Sequence, residues 1–229
     1  MKYIQHEGDY LKFVAVEPNG YDRGRSYPMI VLLHGFGAHM GDLAGLAPAI
    51  DSRGYVYVFP NAPIAMDMGI KGENYAWAPL GGDGTDEALT HADRLIAGFL
   101  DEVTSMYGPP EGQVVLGGFS QGGMMAYRNA LSYPERFTGI AALSSMLGDG
   151  RDIEAVMPAT RDQAIFASHG TADPMIPVAV ARKNIEFLRS HGYVPEYREY
   201  SMAHEVSLQV VSDLTVWLHR VVHPFIPAS

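Results

Sequence analysis

Short apolar runs rich in β-branched residues alternate along the chain with longer stretches whose apolar residues recur every three to four positions. This alternation predicts an α/β fold, a mostly parallel central sheet flanked by helices on both faces. Strands are expected at residues 10–16, 29–34, 55–59, 114–118, 138–143 and 164–168, with a weaker one at 196–200 nearer the sheet edge. The second of these reads Met-Ile-Val-Leu-Leu-His, the continuous apolar run of a strand buried on both faces. Helices are expected at about 42–50, 86–107, 121–133, 178–191 and 205–222. In the last, Val206, Val210, Leu214 and Leu218 stand four apart and share one face. Tyr107-Gly108-Pro109-Pro110 should stop the second helix, since proline and glycine cannot continue it. Residues 61–84, rich in Gly, Pro and Met, form the longest stretch without periodicity and are expected to be a flap beside a functional site. With no internal repeat or low-complexity segment, residues 1–229 are expected to form a single domain.

Bulk properties narrow the picture without deciding it. A chain of 229 residues, 47% of them hydrophobic, can bury roughly 70–75% of its unfolded surface and needs no covalent staples. It has no cysteine, which excludes disulfides and thiolate metal sites. A formal charge of −10 repels phosphate backbones and anionic membrane surfaces, so nucleic acid is a poor partner. No stretch approaches the roughly 18 apolar residues of a membrane span. The first residues lack the apolar run of a signal peptide, and a cytoplasmic location is the expectation.

The strongest chemical signal is Gly118-Phe119-Ser120-Gln121-Gly122, which follows one predicted strand and opens the next helix. A G-x-S-x-G turn between strand and helix lifts a serine hydroxyl above the sheet, and small flanking residues let neighbouring backbone approach it. The helix N-terminus behind it favours negative charge at the reaction centre. The strand context separates this pentapeptide from the many ordinary turns with the same composition. A second signal, Leu33-His34-Gly35-Phe36-Gly37, ends an earlier strand. Such a loop can present a backbone N–H, so the oxyanion hole is expected at the amides of Phe36 and Gln121. His34 itself is expected to brace the loop.

In α/β-hydrolases a serine nucleophile is followed in the chain by an acid and then a histidine. Of the acids after Ser120, only Asp173 stands just past a buried strand, on the carboxyl edge where open α/β sheets bind ligands. Asp149 and Asp152 flank Gly150 in a polar stretch and read as solvated. His204 follows the edge strand on that same side. His191, His219 and His223 fall at helix C-termini, where a cation suits the dipole, and His169 precedes the acid and reads as a packing residue. Ser120, Asp173 and His204 are therefore the expected nucleophile, orienting acid and general base.

These motifs resemble the phospholipase/carboxylesterase family, which includes bacterial carboxylesterases and acyl-protein thioesterases. The resemblance rests on residues 32–37 (Leu-Leu-His-Gly-Phe-Gly), 117–123 (Gly-Gly-Phe-Ser-Gln-Gly-Gly), 169–177 (His-Gly-Thr-Ala-Asp-Pro-Met-Ile-Pro) and 202–206 (Met-Ala-His-Glu-Val). It implies an α/β-hydrolase fold without a large cap domain and hydrolysis of short- to medium-chain carboxylic esters or thioesters, with no cofactor and no metal. Two stretches depart from the family. Tyr75-Ala76-Trp77-Ala78-Pro79-Leu80 replaces a common Trp-Phe-Asp segment beside the acyl site, and Ala203 stands where glycine often precedes the histidine.

Twelve methionines are many for this length, and Met66, Met68, Met146, Met175 and Met202 all fall in loops at the carboxyl edge. Methionine adapts to irregular apolar surfaces. Together with Phe36, Trp77 and Ile176, they suggest an apolar acyl pocket, with Trp77, Met175, Ile176 and Met202 as the expected substrate contacts. The expected partner is a small ester, handled by a monomer or a homodimer. Acyl-protein thioesterase or lysophospholipase action would use the same triad. The same fold also supports peptidases, cofactor-free perhydrolases and catalytically silent binding proteins.

Overall fold

A computed structural model describes residues 1–67, 69, 72–148, 153–155 and 157–226. Met68, Asp149 and Asp152 lie outside the described residues. Eight strands form one sheet: β1 (Lys2–Glu7), β2 (Lys12–Glu17), β3 (Met29–Leu33), β4 (Val56–Pro60), β7 (Val114–Phe119), β8 (Gly139–Leu143), β9 (Ala164–Gly170) and β10 (Glu196–Tyr200). Their spatial order is β1-β2-β4-β3-β7-β8-β9-β10. β2 pairs antiparallel with both β1 and β4, and β4, β3, β7, β8, β9 and β10 run parallel to one another. A separate antiparallel hairpin, β5 (Ile64–Met66) with β6 (Asn74–Ala76), occupies the stretch expected to be a flap.

The central strands are buried on both faces, and the side-chain period of two divides their residues between two cores. Met29, Val31 and Leu33 of β3 face α2 (Thr85–Tyr107), α3 (Gln121–Ser132) and α4 (Val178–Ser190), while Ile30 and Leu32 face α1 (Ala47–Ile50) and α5 (Leu208–Val221). On α2 the buried residues Ala92, Ile96, Phe99, Val103 and Tyr107 recur every three to four positions and lie against the first face. Asp86 and Glu87 in its first turn suit the helix dipole, and Gly108 closes it in the left-handed conformation (φ 54°). No helix among the described residues is long and apolar enough to cross a membrane.

Two expectations are corrected, and one strand is present that was not expected. The helix expected at 42–50 is a 3₁₀ turn (Ala44–Leu46) followed by the single turn of α1. Proline lies in that first turn, and Pro48, lacking an N–H, suits a helix start but not an interior. The helix expected from 205 begins at Leu208, where the Ser207 hydroxyl accepts a hydrogen bond from the Val210 N–H, so His204 sits in the loop before it. Finally, β1 is an exposed edge strand of Lys, Tyr, Ile, Gln, His and Glu, specified by its pairing with β2 and carrying no apolar run.

Candidate active site

Because β3 and β7 to β10 run parallel as neighbours, the loops that follow them emerge side by side along one edge. The loop after β3 carries Phe36, that after β7 Ser120, that after β9 Asp173 and that after β10 His204. This is the edge where open α/β sheets bind ligands.

Ser120 sits at the turn between β7 and α3 with φ 53° and ψ −118°, a strained conformation for a side-chain-bearing residue. Three contacts hold it. Its N–H donates to Leu143 O (2.9 Å), its carbonyl accepts from the Ser145 hydroxyl (2.7 Å), and the same carbonyl accepts from the Met124 N–H (3.2 Å). The glycines around it are required by space. A Cβ on Gly118 would lie 2.4 Å from the backbone of Gly122, and one on Gly122 would lie 2.0 Å from Leu33 O.

The three residues expected to act together lie in one hydrogen-bonded line. His204 Nε2 is 2.9 Å from Ser120 Oγ, and His204 Nδ1 is 2.7 Å from Asp173 Oδ2. The Phe119 ring packs against His204 with centroids 4.8 Å apart and helps fix the imidazole plane. Asp173 Oδ1 accepts from the Met175 and Ile176 amides at 2.8 and 2.9 Å. Burial raises the proton affinity of Asp173, but the Ile176 amide, His204 and the Met175 amide together outweigh it and hold the carboxyl below its ordinary range. The carboxylate therefore stays charged and aimed at the imidazole.

Two residues that the sequence did not single out tie these loops together. Ser145 secures the Ser120 carbonyl, and the Ser144 hydroxyl donates to Glu205 O (3.1 Å), anchoring the loop of His204. Both follow β8, in the gap between the serine and acid loops. Their only sequence signal was a pair of polar residues at the end of a buried strand.

A cavity of about 460 Å³ opens above Ser120, a size suited to small ligands. Phe36, Gln121, Met175, Ile176 and Met146 line it, as do Ala78, Pro79, Leu80, Leu89, Phe119 and Met124. The Phe36 and Gln121 N–H groups make no hydrogen bond with other described residues. Leu80 and Met175 are 75% and 70% exposed at its mouth.

Trp77 and Met202, expected as pocket residues, are placed elsewhere. Trp77 is fully buried, its indole N–H donating to His34 O (2.9 Å) and its ring beside the His34 ring. The cause is Gln121, whose side chain accepts from the Trp77 amide (3.0 Å) and donates to Ala78 O (2.7 Å), turning the indole inward. Met202 packs in the core beneath α1 and α5. Met66 belongs to β5, and of the methionine set Met146 and Met175 line the cavity.

His34 braces its loop, as expected. It donates from Nδ1 to Gly35 O (2.7 Å) and accepts at Nε2 from the Ala62 amide (3.0 Å). Burial lowers its pKa to about 4 despite the bond to Gly35. The hairpin is bound to the same loop through Gly37 N–H to Tyr75 O and Tyr75 N–H to Ala38 O, both 2.9 Å. The hairpin is thus stitched to the segment that carries Phe36.

The sequence profile of the phospholipase/carboxylesterase family matches residues 21–222. The chain belongs to this family. Among curated family relatives, acyl-protein thioesterase 1 of Mycosarcoma maydis is 29% identical over 218 residues, covering 84% of this chain and 90% of its own length. Acyl-protein thioesterase 1 of Kluyveromyces lactis is 28% identical over 176 residues, covering 72% and 77%. Two solved structures share the α/β-hydrolase fold. Esterase PE8 superimposes with a TM-score of 0.79 at 23% identity over 97% of this chain and all of its own. The Bacillus cereus carboxylesterase gives 0.75 at 20% over 93% and 96%. Segment 75–80 of this chain serves as a brace at Trp77 and as cavity wall at Ala78, Pro79 and Leu80.

Proposed function

We propose that this chain is a serine carboxylic ester hydrolase working through an acyl-enzyme on Ser120. The observation that carries the reading is the hydrogen-bonded line from Ser120 to His204 to Asp173, opening onto an apolar cavity with two unengaged amides beside it. Ser120 Oγ attacks the ester carbonyl as its proton passes to His204 Nε2. Asp173 holds the Nδ1–H tautomer and stabilises the imidazolium. The oxyanion is received by the amides of Phe36 and Gln121, at the N-terminus of α3, where the helix dipole adds to the hydrogen bonds. Collapse expels the alcohol oxygen, which takes the proton from His204. Water, deprotonated by the same imidazole, then releases the acid from Ser120.

The cavity favours an apolar acyl group, with Leu80 and Met175 at its mouth, and its size supports short- to medium-chain esters. Thioesters pass through the same tetrahedral intermediate, and the acyl-protein thioesterase relatives favour that second reading. The test is labelling by a fluorophosphonate together with rates on p-nitrophenyl esters of increasing chain length. Ser120→Ala should lose both label and turnover, and an unlabelled native protein would overturn the reading. A competitive panel of p-nitrophenyl esters, lysophospholipid and S-palmitoyl peptide would separate oxygen from sulfur esters.

A further inference from the structure

His169 lies directly behind Asp173, and the reaction as described does not use it. It is fully buried at the end of β9, with Nε2 2.8 Å from Ile176 O and 3.3 Å from Asp173 Oδ2. Ile176 O can only accept, so Nε2 carries the proton and donates to it, with Asp173 Oδ2 lying beside that N–H. In the neutral ring Nδ1 is then a bare acceptor. It is buried and finds no partner among the described residues. A cavity of about 10 Å³ adjoins it, lined by Asn184 of α4, Tyr127 of α3 and Tyr197 of β10 among others. Asn184 Nδ2, a donor, is likewise buried and unpartnered. His169 and Asn184, with Ser168, whose hydroxyl is likewise buried and unpartnered, thus border a space of the volume that holds one water, and leaving such groups unpaired is costly.

We propose that a single buried water bridges Asn184 Nδ2 and His169 Nδ1, and that His169, so held, is a positioning residue for Asp173. The inference rests on the triad reading above. The water accepts from the Asn184 amide and donates to Nδ1, which keeps the proton on Nε2. From Nε2 the ring ties the 173–177 turn at Ile176 O, the same residue whose amide donates to Asp173 Oδ1. The same N–H edge lies 3.3 Å from Oδ2, the oxygen that faces His204, where its dipole favours the charged carboxylate. His169 therefore acts on the imidazole only through the carboxylate.

The ionisable groups facing His169 are Asp173 and, beyond it, His204 from the loops, Glu199 and Tyr197 from β10, and Tyr127 from α3. Arg182 neutralises Glu199 through two 2.7 Å hydrogen bonds. Burial pushes both tyrosines up, out of the working range. A charge effect of His169 on turnover is thus read through Asp173 and His204.

The experiment compares the native protein with His169→Phe, His169→Gln and Asn184→Leu, each checked for native thermal stability. His169→Phe removes the donor and should lower kcat about 10- to 100-fold with little change in KM, the size of effect a displaced supporting group produces. With its charge less compensated, Asp173 should then favour protonated His204, moving the acid limb of kcat/KM to higher pH. His169→Gln, whose amide can donate to Ile176 O, should recover most of the turnover. Asn184→Leu should move the limb the same way by less, and it carries the test if the His169 variants fail to fold. An atomic-resolution crystal structure should show a water between Asn184 Nδ2 and His169 Nδ1. Unchanged kcat and acid limb in His169→Phe, equal losses in Phe and Gln with no shift of the limb, no effect of Asn184→Leu, or no density at the bridge would each overturn the proposal. Turnover surviving in Ser120→Ala would instead overturn the triad reading, so the two failures are distinguishable.

Discussion

Acidification should destabilise this protein through His34, and the geometry says by how much. The ring is buried and neutral, with its one proton donated from Nδ1 to Gly35 O while Nε2 accepts from the Ala62 amide. A second proton would have to sit on Nε2, facing another N–H, in a site shielded from water. Burial accordingly lowers the pKa from 6.5 to about 4. The folded value lies below the unfolded one, so the unfolded chain binds more protons between these limits. Stability from this residue is complete above about pH 6.5 and is lost progressively as the pH falls toward 4. The full shift corresponds to about 3 kcal/mol at 1.36 kcal/mol per unit, and most of it should be gone by about pH 4.5.

The assay is urea unfolding of the native protein and His34→Gln at about pH 7.5 and about pH 4.5. Glutamine can still accept from the Ala62 amide but does not titrate, so its variant reports every other acid effect. The native protein should lose about 2–3 kcal/mol more than the variant between the two conditions. Equal losses would refute the reasoning, because they would mean that His34 takes up its proton as easily in the fold as outside it. The consequence reaches the site, since the same loop carries Phe36 and is clamped by Trp77 through the His34 carbonyl.

Asp173→Asn should leave the fold intact and lower kcat by about 10⁴-fold, because an amide can favour the wrong imidazole tautomer; a loss below about tenfold in steady-state kinetics would argue against the orienting role. Gly122→Ala places a Cβ 2.0 Å from Leu33 O and should cost about 3 kcal/mol or more, read as a fall in Tm or as insoluble protein. Gln121→Met leaves the Trp77 amide and Ala78 carbonyl unpaired, and unfolding should show a loss of about 1–3 kcal/mol. Leu89→Trp fills part of the cavity wall and should suppress turnover of longer acyl esters before that of acetate; an unchanged chain-length profile would remove Leu89 from the acyl path.

Much of this protein is legible from the chain alone, where one physical constraint acts locally. A strand buried on both faces must be apolar throughout, so β3, β4 and β7 announce themselves. A serine turn between strand and helix needs glycine where backbone meets backbone, so the elbow is visible as a pentapeptide. Chain order and the shared strand edge then point to Asp173 and His204. Elements set by partners stay hidden: β1 exists because β2 pairs with it, and the 64–76 hairpin is tied to the loop after β3. Side-chain direction within loops is hidden too. Trp77 and Met202 belong by composition to an apolar pocket, yet the Gln121 side chain turns one inward and the α5 core takes the other. Ser144 and Ser145 carry no pattern of their own, and His169, though it opens the 169–177 motif, shows nothing there of the atoms it meets. Sequence periodicity reports which face of an element is buried, because that is a local property of the backbone. Which buried polar atoms meet across loops as far as 84 residues apart is decided only when the sheet brings those loops to one edge.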